Sequence, residues 1–152
     1  MDRVAVVYGR ILLAVDLTAE SRAIGRRARA LADALGAELQ AITVVEPIPI
    51  VTPIPPEPVG PQMLTTQAEL VQIAQERLAQ LARDLDIAPA RASVSVGAIK
   101  SEIIRVASDR QVDLIIIGSH ERHGLAFLIK PTEEALVRRA PCDVLAVRLT
   151  EA

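Results

Sequence analysis

The chain has 152 residues, half of them hydrophobic, yet it contains one Tyr, one Phe and no Trp; its core is therefore aliphatic, and it lacks the exposed rings on which single-stranded nucleic acid stacks. A length of this order suits a single domain spanning residues 1–152, which buries about 70% of the surface an unfolded chain exposes. A formal charge of −2 with a pI near 5.7 gives no general attraction to nucleic acid or to an anionic membrane, and no run reaches the ~20 apolar residues of a membrane span.

The basic cluster Arg22, Arg26, Arg27 and Arg29 is interspersed with Glu20 and Asp33 and reads as a solvated helix face. Cys142 is the sole cysteine, so no internal disulfide forms. The first ten residues lack the length and cleavage pattern of a secretory signal, and a cytoplasmic location is expected.

In chain order, Ile11–Val15 is a short apolar run ending at Asp16, the pattern of a strand buried on both faces of a parallel sheet. Thr18 is placed to cap the next helix, with Glu20 in its first turn. Ile24, Ala28, Leu31 and Leu35 recur at helical spacing, and Gly36 supplies the stop. Leu39–Val45 is a second strand. Seven of the ten prolines fall between Pro47 and Pro61, predicting a long surface loop over about residues 47–62 that cannot join a regular ladder. Thr66 and Glu69 have capping-box spacing and open a helix with Leu70, Ile73 or Ala74, Leu78, Leu81 and Leu85 on one face. Ala92–Val96 alternates as a third strand, Ser101–Arg110 is a helix, and Asp113–Gly118 is a buried strand. A loop, a helix from about Thr132 to Arg139, and a last strand Cys142–Arg148 complete the chain. Short apolar strands alternating with amphipathic helices predict an α/β fold with an open, doubly wound parallel sheet and helices on both faces.

Ligands of such sheets sit beyond the carboxyl ends of strands where the winding reverses. Two strand ends carry polar chemistry: Asp16-Leu17-Thr18, and Gly118-Ser119-His120 followed by Gly124. If these strands are neighbours, Asp16 faces the Gly118–Gly124 loop across a crevice. A carboxylate there accepts from a sugar hydroxyl or an exocyclic amine, and glycines let backbone N–H groups approach a phosphate.

Ile11-Leu12-Leu13-Ala14-Val15-Asp16, Asp113-Leu114-Ile115-Ile116-Ile117-Gly118-Ser119-His120 and Arg138-Arg139-Ala140-Pro141-Cys142-Asp143-Val144-Leu145 resemble the signature segments of the universal stress protein family. The similarity runs from about Arg10 to Leu149. It implies five parallel strands in the order 3-2-1-4-5 and homodimers formed through the C-terminal strand. It implies ATP binding only for some members, those with G-x2-G-x9-G-[S/T] after the fourth strand. Here Gly118 matches the first glycine, but the second position is Glu121. Counted forward, the last two positions are Pro131 and Thr132; counted back from Ala140-Pro141 they are Lys130 and Pro131. No glycine follows Gly124.

Glu121 brings negative charge toward a triphosphate, a repulsion of about 1–4 kcal/mol at a few ångströms, or roughly one to three decades in affinity. Lys130 and Arg122 offset part of it. The resemblance assigns the adenosine half of the pocket to Asp16 and the Val44 backbone, and the phosphate half to Gly118, Ser119, His120, Gly124 and Thr132. ATP or AMP is the cofactor in question, AMP being less penalised.

His120 and His123 read as exposed loop residues rather than metal ligands, since zinc requires three or four protein donors. Ser119 and His120 are adjacent in an extended loop with no orienting acid, which does not make a nucleophile–base pair. Cys142 reads as a buried, inert thiol, Asp113 as structural, and Glu134 with Arg138 as a local helical pair. Asp16 is divided between capping the following helix and contacting a ligand. With no Walker A motif, nucleophile elbow or paired catalytic carboxylates, the expectation is a non-enzymatic, homodimeric stress-response protein. It binds or protects protein partners and binds ATP weakly or not at all. The alternative is an adenine nucleotide binder with at most slow hydrolysis.

Overall fold

The computed structural model describes residues 7–47, 66–119 and 134–149. The strands are β1 (Arg10–Ala14), β2 (Glu38–Val45), β3 (Ala92–Val96), β4 (Leu114–Ser119) and β5 (Asp143–Arg148), and the long helices are α1 (Ser21–Leu35), α2 (Gln67–Asp84) and α3 (Ile99–Asp109). Residues 134–139 are also helical. The strands form one sheet in the order β3-β2-β1-β4-β5, every pair parallel, as the resemblance implies. The proline-rich stretch lies almost wholly outside the described residues, as does the predicted helix start at Thr132.

Successive residues of a strand point to opposite faces, and the core divides accordingly. Ile11, Leu13 and Val15 join Leu39, Ala41, Leu114 and Ile116 beneath α1 and α2. Leu12, Ile42, Ile115 and Ile117 pack with Ile103, Val106 and Ala107 of α3 and with Leu136 on the other face. The crossover helices thus change face where the chain turns back from β3 to β4, on the far side of β1.

The helix stripes differ in detail from the spacing-based expectation. On α1 the buried positions are Ser21, Ile24, Gly25, Ala28 and Ala32, with Leu31 only partly buried and Leu35 exposed. The small residues bring the backbone close to its neighbours: a Cβ on Gly25 would lie 2.6 Å from Leu85 Cδ1. On α2 the capping box between Thr66 and Glu69 is formed, and Ala74, Leu78 and Leu81 are buried while Ile73 is exposed. Helix α3 begins two residues earlier than Ser101, at Ile99. A single 3-10 turn over Pro89–Arg91, which no spacing announced, leads into β3.

Polar side chains brace the lower part of the sheet. Gln40, buried in β2, accepts from Arg110 Nη1 at 2.9 Å and donates to Glu38 Oε1 at 3.1 Å; Arg110 Nη2 donates to Ser93 Oγ at 3.0 Å. At the amino ends of β1 and β4, Asp113 Oδ2 accepts from the backbone N–H of Gly9 at 2.8 Å and of Arg10 at 2.9 Å. That is the structural role predicted for it. A charged acceptor holding two N–H groups is among the stronger hydrogen-bonding arrangements.

Candidate functional site: the crevice between the first and fourth strands

Strands β1 and β4 are neighbours, paired with Ala14 opposite Ile117. Continuing that register brings Val15 level with Gly118 and Asp16 level with Ser119. The winding reverses between these strands, so their carboxyl ends frame the crevice where a doubly wound sheet takes ligands.

Two side chains shape the β1 side. The Thr43 hydroxyl, buried in β2, donates to the Val15 carbonyl at 2.8 Å, and the Val15 N–H donates to the Ile42 carbonyl at 3.0 Å. The last residue of the β1 run is thus gripped by β2 from both its donor and its acceptor. Asp16 then turns the chain: its Oδ1 accepts from the Thr18 N–H at 3.1 Å, the Thr18 hydroxyl at 2.8 Å and the Ser21 hydroxyl at 3.1 Å.

Thr18 therefore does not cap α1. It lies two residues ahead of the N-cap position, which Glu20 holds, and its hydroxyl donates to Asp16 Oδ1 instead. Glu20 stands at the N-cap position rather than in the first turn, and makes no side-chain capping bond. Leu17 between them has φ +60°. That conformation is uncommon for a side chain branched beyond Cβ; it lets the Thr18 N–H fold back on Asp16 while the Leu17 side chain packs on the α1/α2 core. Of the two roles weighed for Asp16, local turn formation occupies one carboxylate oxygen.

Val44 lies near the end of β2, partly buried and packed on the α3-side core. The β2–β3 edge of the crevice closes with the Gly97 N–H donating to the Val45 carbonyl at 3.0 Å. Gly97 has φ +153°, and a Cβ there would lie 2.9 Å from Glu102 Cγ, so both backbone and space favour glycine. The Arg105 guanidinium, bonded to Glu102 at 2.7 Å, holds that carboxyl below the usual range despite some burial, with Ser95 adding a bond.

The structure thus brings Asp16, Val44, Gly118 and the backbone of Ser119 to one end of the sheet. His120, Gly124 and Thr132, together with Glu121, His123, Lys130 and Pro131, lie outside the described residues. Among the described residues no three His, Cys, Asp or Glu side chains are grouped to hold a metal. Thr43 and Leu17 were not singled out from sequence. A hydroxyl inside the run Ala41-Ile42-Thr43-Val44-Val45 was a legible signal for Thr43; the Leu17 conformation had none.

At the opposite end of the sheet, the Tyr8 hydroxyl donates to Asp143 Oδ2 at 2.7 Å. That bond, with the nearby negative charge, pushes the phenol above its ordinary range. Cys142, expected to be buried, is only partly buried; burial still pushes its thiol up, with Asp143 and Asp113 adding to the effect. The ion pair of Glu134 with Arg138 is present at 2.8 Å.

Among the described residues no helix is long and apolar enough to cross a membrane. The sequence pattern of the universal stress protein family matches residues 8–148. Universal stress protein A homolog 1 of Coxiella burnetii is 30% identical over 144 residues, covering 95% of this chain and 99% of that protein. Homolog 2 of the same organism is 42% identical over 80 residues, 53% of this chain and 55% of that protein. Among solved structures, universal stress protein UspA from Lactobacillus plantarum superposes with a TM-score of 0.71 at 28% identity, over 93% of this chain and 98% of that one. A universal stress protein solved in complex with cAMP shares the fold, with a TM-score of 0.63 at 20% identity over 92% and 96% of the two chains. An all-parallel sheet wound in the order 3-2-1-4-5, a crevice at its reversal point and similarity along nearly the whole chain agree: this chain belongs to the universal stress protein family.

Proposed function

We propose that the chain is a single-domain, non-enzymatic, homodimeric stress-response protein of the cytoplasm whose crevice binds ATP weakly or not at all. The observation that carries this reading is the loop after β4. Glu121 stands where nucleotide-binding members have a glycine, and no glycine follows Gly124. Backbone N–H groups that would cradle a triphosphate need close approach, which a carboxylate opposes by charge and a proline opposes by lacking the donor. The three bonds already made to Asp16 Oδ1 further reduce what that carboxylate offers a ribose.

The exposed edge of β5 supports a dimer in which a second copy pairs along that strand. This edge strand carries Leu145 at 40% exposure beside Val137 at 64%, an apolar edge of the kind that proteins cover. Protein partners bound or protected under stress are the remaining part of the reading.

Calorimetry with ATP and with AMP, together with mass spectrometry of small molecules released from the denatured protein, tests the nucleotide part. Millimolar or absent ATP binding is expected, and micromolar affinity refutes it. Sedimentation of wild type against Leu145→Asp tests the dimer; a monomeric wild type refutes it. The second reading, an adenine nucleotide binder with at most slow hydrolysis, is favoured by the pairing of β1 with β4, which brings Asp16 and Gly118 to one end of the sheet, and by the relative solved with cAMP. It needs Ser119, Gly124 and Thr132 to hold the phosphates, and predicts that Gly118→Val abolishes nucleotide binding.

A further inference from the structure

A second cavity, of about 400 Å³, lies on the α1/α2 side of the sheet. Leu17, Ala19 and Leu81 give it an apolar lining, and Thr18, Ser21, Arg22, Arg77, Gln80 and Asp84 supply its polar groups. Its lining comes from the turn after β1, from α1 and from α2, and includes none of Asp16, Val44, Gly118 and Ser119. Its size falls within the range of small-molecule pockets.

The hydrogen-bonding inventory of this groove is lopsided. Both carboxylate oxygens of Asp84 are engaged, Oδ2 by Arg22 at 2.7 Å and Oδ1 by the Gln80 amide at 3.1 Å. The amide oxygen of Gln80 accepts from Arg83 at 2.8 Å. The hydroxyls of Thr18 and Ser21 both donate to Asp16. Arg77 alone has its donors unspent: among the described residues it has no hydrogen bond or ion pair. Arg22 and Asp84 pair with each other, which leaves Arg77 as the lining charge without a partner, beside an apolar floor.

We propose that this groove binds a small carboxylate with an aliphatic body, the carboxylate on the Arg77 guanidinium and the body against Leu17 and Leu81. A guanidinium presents paired donors that match a carboxylate. A carboxylate brings one negative charge to that guanidinium, whereas a phosphate monoester near −2 meets stronger repulsion from Asp84 and from Asp16 behind the lining hydroxyls. Because Leu17 and Thr18 belong both to this groove and to the turn made by Asp16, the occupant contacts the segment that places Asp16.

The test is an amide NMR titration of the full chain with hexanoate, hexanamide and inorganic phosphate. Hexanoate is expected to give saturable shifts at Thr18, Ala19, Ser21 and Leu81, with hexanamide and phosphate at least tenfold weaker. Arg77→Gln, at an exposed position, is expected to weaken hexanoate at least tenfold with an otherwise unchanged spectrum. Arg29→Gln, which loses only the ion pair to Asp33, leaves the affinity as it was. The proposal is overturned if no saturable shifts occur at the groove, if hexanamide or phosphate matches hexanoate, or if Arg77→Gln binds as wild type does.

Discussion

Replacing Thr43 by Val isolates the bond that fixes the β1 side of the crevice. The two side chains have nearly the same volume, so packing in the α1/α2 core is kept while a hydroxyl becomes a methyl. What is lost is a 2.8 Å bond to the Val15 carbonyl at a site where Thr43 is only 4% exposed. A net hydrogen bond is worth about 1 kcal/mol, and a buried carbonyl deprived of its donor adds a desolvation cost, so the loss is about 1–2 kcal/mol. For a chain of this size each kcal/mol moves Tm by roughly 2–4 °C, giving a fall of about 2–8 °C. Urea denaturation should show a lower midpoint with an unchanged m-value. The change should also reach the site: the amide signals of Asp16 and Thr18 should shift while those of Asp113 and Gly9, at the far end of the same strands, stay put. A stability loss below about 0.5 kcal/mol, or shifts confined to β2, would refute the claim that Thr43 anchors the end of β1.

Three further outcomes follow from the amino end of the sheet. Tyr8 is the only tyrosine and there is no tryptophan, so phenolate absorbance reports it alone. It should titrate above free tyrosine, and Asp143→Asn should bring it back down. With the folded phenol raised, the bond to Asp143 contributes fully below the ordinary phenol range and is lost as pH climbs through the raised one, so the variant should be slightly less stable than wild type at neutral pH and the difference should vanish at alkaline pH. Cys142 should react with iodoacetamide at neutral pH more slowly than free cysteine; an equal or faster rate would contradict its burial and acidic neighbours. Asp113→Ala removes the shared acceptor of two backbone N–H groups at an exposed site and should cost about 1–2 kcal/mol by denaturant unfolding, with Asp113→Asn losing less because an amide oxygen still accepts.

The strands were readable because they are nearly all apolar: Ile11–Val15 and Leu114–Ile117 leave no polar face, and only a sheet covered on both sides accommodates that. The alternation of Ala92, Val94 and Val96 with Ser93 and Ser95 was equally informative, and it fits an edge strand whose serine face meets Arg110 and Glu102. The entry to α1 was not readable. Thr18 and Glu20 satisfy the usual capping pattern, but that pattern does not weigh a competing carboxylate two residues earlier or a leucine in the left-handed region. On α1 the stripe of Ala and Gly outcompeted Leu35 for the buried face because close approach to the sheet and to Leu85 favours small side chains. In the crevice, Asp16 and Gly118 were marked by ending apolar runs, whereas Thr43 acts through a carbonyl 28 positions away in sequence.

Gln40 also bears on how the chain avoids misfolding. From Leu39 to Val45, β2 offers aliphatic side chains that would fit the sheet almost as well if the strand slid by two residues, a shift that keeps every side chain on its own face. Gln40 makes such a slide costly, since its amide meets the Arg110 guanidinium at only one height. That partner is 70 positions downstream and arrives only with α3. Beside the Thr43 bond to Val15, Gln40 thus gives the alignment of β2 a second check that depends on α3, and Gln40→Leu should leave the native fold intact while increasing the population of misaligned chains during refolding.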